Sequence, residues 1–193
     1  MRKFAKHIFC IFCILININS INAKNVWILD QDLSEIKFEL PILLAEDVKG
    51  EFNKFEGYVV IDLNNKENNR ALFSVNINSV DLNYKKYKKL LMSDIFFDEI
   101  NFPLAIIDTK KFEVSENLES LSIISELQIK NIIGLIPLEI QVNQLANDWR
   151  QIKVNIYFSR NDYSLGKGPW ASTLIIKDEI LLKANLFLYK EKE

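Results

Sequence analysis

The chain has 193 residues, with 24 basic and 26 acidic side chains and a net charge of −2 at pH 7. A slightly acidic total without a basic tail argues against a nucleic-acid partner. Its two cysteines and single histidine are Cys10, Cys13 and His7, so everything beyond residue 13 lacks the side chains for a Ser-His-Asp or Cys-His nucleophile and for ordinary zinc sites.

The first 23 residues predict a signal peptide. Arg2, Lys3 and Lys6 open the chain, an apolar run extends from Ile8 to about Ile18, and a polar stretch ends at Ser20-Ile21-Asn22-Ala23. A basic start, an apolar middle and a small residue at the cut are the marks of secretion. Asn17 and Asn19 interrupt the run before it reaches the roughly 20 apolar residues of a spanning helix. Cleavage after Ala23 is expected to leave a periplasmic domain, residues 24–193. Loss of the three leader cations leaves 21 basic against 26 acidic residues, a net of −5. No linker, composition shift or internal repeat divides these residues, and their number suffices for one hydrophobic core.

Along this domain, apolar and polar residues alternate with period two, the pattern of half-buried strands. Ile36, Phe38 and Leu40 share one face, with Glu35, Lys37 and Glu39 on the other. The next strand candidate is 55–63. Phe73, Val75 and Ile77 then alternate with Ser74, Asn76 and Asn78. The rhythm breaks at 83–93, where Tyr84, Tyr87 and Leu91 recur at three- and four-residue spacing and predict a short helix. Its flank of Lys85, Lys86, Lys88 and Lys89 reads first as a solvated face. Such a flank also leaves room for transient contact with a membrane surface. Phe96, Phe97 and Phe102 follow, either as a plug at one end of the fold or as the wall of an apolar entrance. Strand candidates continue at 105–112, 121–129 and 135–142. Ile152, Val154, Ile156 and Phe158 then alternate with Lys153, Asn155 and Tyr157. Arg160 and Asp162 are expected to fix a turn by paired hydrogen bonds. Ile180, Leu182, Ala184, Leu186 and Leu188 line one face of the last strand. About eight strands at this spacing predict an all-β sandwich or barrel. Trp27, Trp149 and Trp170 read as core or rim residues.

Several of these segments, taken in order, resemble the YceI-like family of polyisoprenoid-binding periplasmic proteins. The resemblance rests on Trp27-Ile28-Leu29-Asp30 with Ser34 and Phe38, and on Val48-Lys49-Gly50-Glu51-Phe52 with Phe55 and Gly57. Phe96-Phe97-Asp98 with Phe102-Pro103, Arg160-Asn161-Asp162-Tyr163 and Asp178-Glu179-Ile180 complete it. The chain departs from the family at Ser164, where a glycine is usual, at Lys88, Lys89 and Leu90 of the helix, and in the turn around 131–137.

The resemblance implies an extended eight-stranded antiparallel β-barrel, lipocalin-like, with a short helix near 83–93 and an isoprenoid or other long-chain lipid in its bore. From alternation alone, a core filled with side chains is the simpler outcome, because eight strands enclose just enough room for either; the resemblance favours the ligand. It makes Phe38, Phe55, Phe73, Val75, Ile77, Leu91, Phe96, Phe97, Phe102, Leu138, Ile140, Val154, Ile156 and Phe158 the residues of the bore or its entrance. It calls for no cofactor, metal or catalytic residue, and leaves a homodimer open. Turning the apolar faces outward, as in an outer-membrane barrel, would crowd Glu35, Lys37, Glu39 and Lys153 into a narrow lumen. The alternative function is a lipid-modifying enzyme of calycin-like shape with Asp, Glu, Tyr or Arg as acid and base, although no motif places a carboxylate pair for it.

Overall fold

A computed structural model describes residues 24–43, 45–114 and 118–192. The expected signal peptide, 1–23, lies outside the described residues. Ten strands and one short helix follow in chain order. They are β1 (Asn25–Leu40), β2 (Val48–Phe52), β3 (Phe55–Ile61), β4 (Arg70–Asn76), β5 (Val80–Leu82), α1 (Lys88–Met92), β6 (Leu104–Lys110), β7 (Ser120–Ile129), β8 (Ile132–Ala146), β9 (Trp149–Ser159) and β10 (Glu179–Lys190).

Neighbouring strands pair antiparallel in the order β10-β9-β8-β7-β6-β4-β3-β1, and β10 pairs back onto β1. This closes an eight-stranded barrel. The two further strands, β2 and β5, continue β3 and β4 beyond a break: β3 pairs with β4 and β2 with β5. Ser79 bridges both breaks. Its hydroxyl donates to the Asn76 carbonyl at 2.6 Å and accepts from the Lys54 amide at 3.0 Å. The Val48–Phe52 strand is absent from the alternation because five residues containing Gly50 give period two little to show.

β1 has to serve three partners. Up to Ile28 it pairs with β3, from Ile36 it pairs with β2, and its other edge follows β10 throughout. The change happens at a bulge, where four residues, 31–34, are inserted between Asp30 and Glu35. Ser34 staples it, donating to the Asp30 carbonyl at 2.6 Å and accepting from the Phe187 amide at 2.8 Å. Trp27 and Leu29 are buried before the bulge, Ile36, Phe38 and Leu40 after it. The inward parity has switched from odd to even, as an inserted irregularity in a period-two strand requires.

The predicted helix is a single 3-10 turn, Lys85–Tyr87, leading into the five residues of α1. Leu91 is buried. Lys88 is half-buried and donates to the Val80 carbonyl at 2.7 Å, and Lys86 lies 5.0 Å from the Tyr87 ring centroid. Lys85, Lys86 and Lys89 are exposed.

Outside the barrel, Arg70 on β4 grips Asp108 on β6 with two hydrogen bonds, Nε to Oδ1 at 3.0 Å and Nη2 to Oδ2 at 2.8 Å. Lys110 bridges Asp108 and Glu126 of β7 at 3.3 and 3.2 Å. The hydrogen bonds from Arg70, then those from Lys110, hold the Asp108 carboxyl below its ordinary pKa against a smaller effect of burial. A carboxylate with a lowered folded pKa stabilises the fold above its unfolded value of about 3.9, and that contribution disappears as pH falls through the folded value. Asp108→Asn should therefore lower the melting temperature at pH 7, and the gap to the parent should close below about pH 3.9. Thermal melts of both proteins across pH 2–8 would show this; a gap that stays constant down to pH 2 contradicts it.

Candidate functional site

The inward faces of the eight strands enclose one long cavity of about 1150 Å³, at or beyond the upper end of pockets that hold small ligands. Its middle is aliphatic and aromatic: Phe73 and Val75 from β4, Leu138 and Ile140 from β8, Val154, Ile156 and Phe158 from β9, and Leu182 and Ala184 from β10. Glycine makes room for the larger rings. A side chain at Gly57 would run into the Phe73 ring, and one at Gly50 into Phe38. One polar pair sits in this wall. Thr109 donates to the Ser125 hydroxyl at 2.9 Å and both are buried, so each satisfies the other.

Twelve of the fourteen residues expected at a bore or entrance lie on the cavity wall: Phe38, Phe73, Val75, Ile77, Leu91, Phe96, Phe97, Leu138, Ile140, Val154, Ile156 and Phe158. The other two, Phe55 and Phe102, do not line it. Phe55 is buried beside the break between β2 and β3, with its amide donating to Gln31 of the β1 bulge at 3.2 Å. Phe102 is half-buried in the turn before β6.

The two ends differ. One carries α1, the segment 93–103, the turn at 130–131 and the long loop 160–178, and it is sealed. Leu91, Phe96, Ile77 and Leu165 are all buried here, and Phe96 meets Trp170 with ring centroids 6.2 Å apart. Phe96 and Phe97 thus belong to the plug rather than to an entrance. Above them Arg160 is completely buried. Its guanidinium donates to the carbonyls of Lys177 (3.0 Å), Leu165 (2.8 Å), Trp170 (2.9 Å) and Ile176 (2.9 Å). Asp162, the partner expected from the sequence, is exposed and takes no part. Burial lowers the Arg160 pKa and the Asp178 carboxylate opposes the change. Arg160 therefore ties the loop 160–178 across the end of the barrel through backbone acceptors. Ser164, at the family's glycine position, has φ +53°, the left-handed conformation that explains the usual residue. Its carbonyl accepts from the buried Lys130 ammonium at 2.8 Å; burial, then Lys167, pulls that lysine's pKa down, against Asp98 and Asp94.

The opposite end is lined by exposed or half-buried residues, among them Asn25, Leu63, Glu119, Ser120, Gln144 and Arg150. It is the open end. Arg150 stands over the Trp27 ring at 4.7 Å. Nothing in the apolar pattern singled these residues out. Carrying the β9 alternation two residues back from Ile152, however, puts Arg150 on the inner face.

Chemically, the middle of the bore offers apolar walls and a self-satisfied hydroxyl pair. The charged residues on its wall are Glu119, Arg150 and Arg160. Among the described residues no group of three His, Cys, Asp or Glu side chains could hold a metal ion.

The chain matches the YceI-like domain over residues 27–188. A comparison with curated proteins finds no match. Three solved structures share the fold. BcnA of Burkholderia cenocepacia is similar at 21% identity over 82% of this chain and 98% of its own, with a TM-score of 0.73. A polyisoprenoid-binding domain from Saccharophagus degradans, implicated in plant cell wall breakdown, is similar at 16% identity over 86% and 98%, with a TM-score of 0.68. The Campylobacter jejuni YCEI protein is similar at 23% identity over 79% and 90%, with a TM-score of 0.62.

If the sealed end depends on Arg160, Arg160→Leu should leave several buried carbonyls without donors, each costing roughly 1–3 kcal/mol. A total loss of at least about 3 kcal/mol corresponds to about 10 °C in melting temperature for a chain of this size. Arg160→Lys, which cannot span the same fork of acceptors, should recover only part of it. A melt of Arg160→Leu within 2 °C of the parent would rule this role out.

Proposed function

The chain belongs to the YceI-like family, and we propose that it is a binding or carrier protein for an isoprenoid or other long-chain lipid held in the barrel interior. The observation that carries this reading is the continuous apolar bore of about 1150 Å³, sealed at one end and open at the other. The solved relative whose description names polyisoprenoid binding has the same fold, which supports the choice of ligand. Binding works by burial. Each methylene removed from water contributes about 0.8 kcal/mol, against an association cost of roughly 4–15 kcal/mol. A ligand thus needs on the order of ten or more buried methylenes, which selects long chains by length alone. This reading calls for no catalytic residue and no cofactor. Export to the periplasm, with cleavage after Ala23, belongs to the same proposal and follows from the leader pattern of residues 1–23.

Val75 tests the bore directly, because its half-buried side chain lines the cavity in mid-barrel. Val75→Trp should leave the melting temperature of the empty protein within a few degrees and weaken binding of a long isoprenoid at least tenfold. Asn155→Trp, on the outer face of β9, is the control and should alter neither. In a filled core the same enlargement would cost about 1–3 kcal/mol of stability. An unfolded Val75→Trp protein, together with a parent that binds no lipid, would overturn the carrier reading. Export is checked separately: protein recovered from a bacterium with an intact secretion system should begin at or near Lys24, and an intact Met1 on folded protein would refute cleavage.

A further inference from the structure

The open end has more hydrogen-bonding capacity than the fold uses. Arg150 spends one nitrogen on the chain, with Nη1 donating to the carbonyls of Ala146 at 2.5 Å and Trp149 at 3.0 Å. Its Nε and Nη2 have no acceptor among the described residues. The Trp27 indole covers one face of the guanidinium at 4.7 Å, leaving the donors on its edge. Across the β8–β9 ladder Arg150 pairs in register with Gln144, and Asn25 lies two residues before Trp27 on the same face of β1. All three side chains line the cavity, and those of Asn25 and Gln144 make no hydrogen bond within the described residues. At the sealed end the same kind of group, Arg160, has acceptors for all its nitrogens. The donor surplus is confined to the mouth.

We propose that the mouth is a head-group subsite. There Nε and Nη2 of Arg150, with the side-chain amides of Asn25 and Gln144, bind the carbonyl oxygen of an uncharged lipid head whose tail runs inward toward Phe96. The inference rests on the lipid-binding reading and adds the head's chemistry and the ligand's direction. Charge decides the class of head. The mouth offers one guanidinium and one carboxylate, Glu119, on the cavity wall, so their charges cancel. A diphosphate would face a single cation with a carboxylate close by, whereas a carbonyl needs only donors. Direction follows from the sealed end, where Phe96 and Leu91 present no unfilled polar group. From Arg150 to Phe158 the wall runs about 26 Å along β9, or roughly 20 Å of depth at the usual strand tilt, which is room for a long tail.

The test keeps one tail and changes the head. Oleamide, 1-octadecene and oleyl phosphate are each used to displace the fluorescent reporter N-phenyl-1-naphthylamine from the delipidated protein. Oleamide should compete about tenfold better than 1-octadecene, the lower end of what a hydrogen bond to a charged donor contributes, and oleyl phosphate no better than oleamide. Arg150→Met, which keeps the apolar stem over Trp27, should abolish oleamide's advantage and leave 1-octadecene unchanged. Gln144→Leu, at an exposed side chain, should reduce that advantage without risk to the fold. Equal competition by oleamide and 1-octadecene overturns the subsite while lipid binding stands. Oleyl phosphate competing tenfold better than oleamide overturns the uncharged head. A loss shared equally by all three ligands in Arg150→Met shows a merely structural arginine. If neither the reporter nor any of the three lipids binds the parent, the lipid-binding reading falls and the subsite with it.

Discussion

The pairing of β1 with β10, from Trp27 opposite Lys190 to Glu39 opposite Leu181, turns a sheet into a tube, and the cavity follows from that closure. Once the first strand is bonded to the last, no sheet edge is left along the barrel wall to pair elsewhere. The circumference is then fixed by strand number and tilt. Opposite walls cannot approach to fill the middle, so the interior volume depends on how far side chains reach from each wall. In mid-barrel these include Val75, Ala184, Ile156 and Leu138, which are too short to meet across it. The bulge at residues 31–34 belongs to the same constraint. β1 could not follow β10 along its length and pair with both β3 and β2 on its other edge without a change of parity, and Ser34 holds that change in place.

The inner face of β9 summarises how the ends were made different. It carries Arg150, Ile152, Val154, Ile156, Phe158 and, just past the strand, Arg160, so a guanidinium terminates the apolar run at each end. Burial lowers the pKa of both, which means both have given up hydration. At Arg160 the lost water is replaced by backbone carbonyls of a single loop, and a charge that would otherwise be costly becomes the tie that closes the barrel. At Arg150 the replacement is partial: an indole face and two carbonyls. A guanidinium suits both situations, being flat enough to stack and forked enough to hold several acceptors.

Much of this was legible in the sequence, because period-two alternation reports which side of a strand faces the interior. It located the strands that contain 36–40, 73–75, 152–158 and 180–188, and with them most of the cavity wall. Burial alone does not say which interior surface a side chain meets. Phe55 is as deeply buried as Phe52, yet the break between β2 and β3 turns it away from the cavity that Phe52 lines. The bulge was hidden because alternation is regular on both sides of it and only the parity differs. The open end was harder to read, since attention to apolar residues favours the aromatic cluster at 96–102, which closes the other end. Arg150 and Gln144 were visible only as continuations of a strand face into polar residues, a signal that requires trusting the parity over the hydrophobicity.

A hollow centre also shapes where stability can come from. Side chains around an unfilled space lack contacts on one side, so the empty barrel relies on what surrounds the cavity. It has the backbone ladder that runs unbroken around the ring, the Arg70–Asp108–Lys110–Glu126 network on the outer face and the Arg160 tie at the sealed end. None of these uses a side chain from the middle of the bore. Stability and ligand capacity are therefore held by different residues, and the wall can vary in shape without loosening the ring. A molecule entering the bore adds contacts that the folded chain lacks, and the unfolded chain has no bore to offer it. Occupancy then stabilises the fold by mass action in proportion to ligand affinity. The register of the strands need not change between the empty and the filled barrel, because the bonds that set it all lie in the wall.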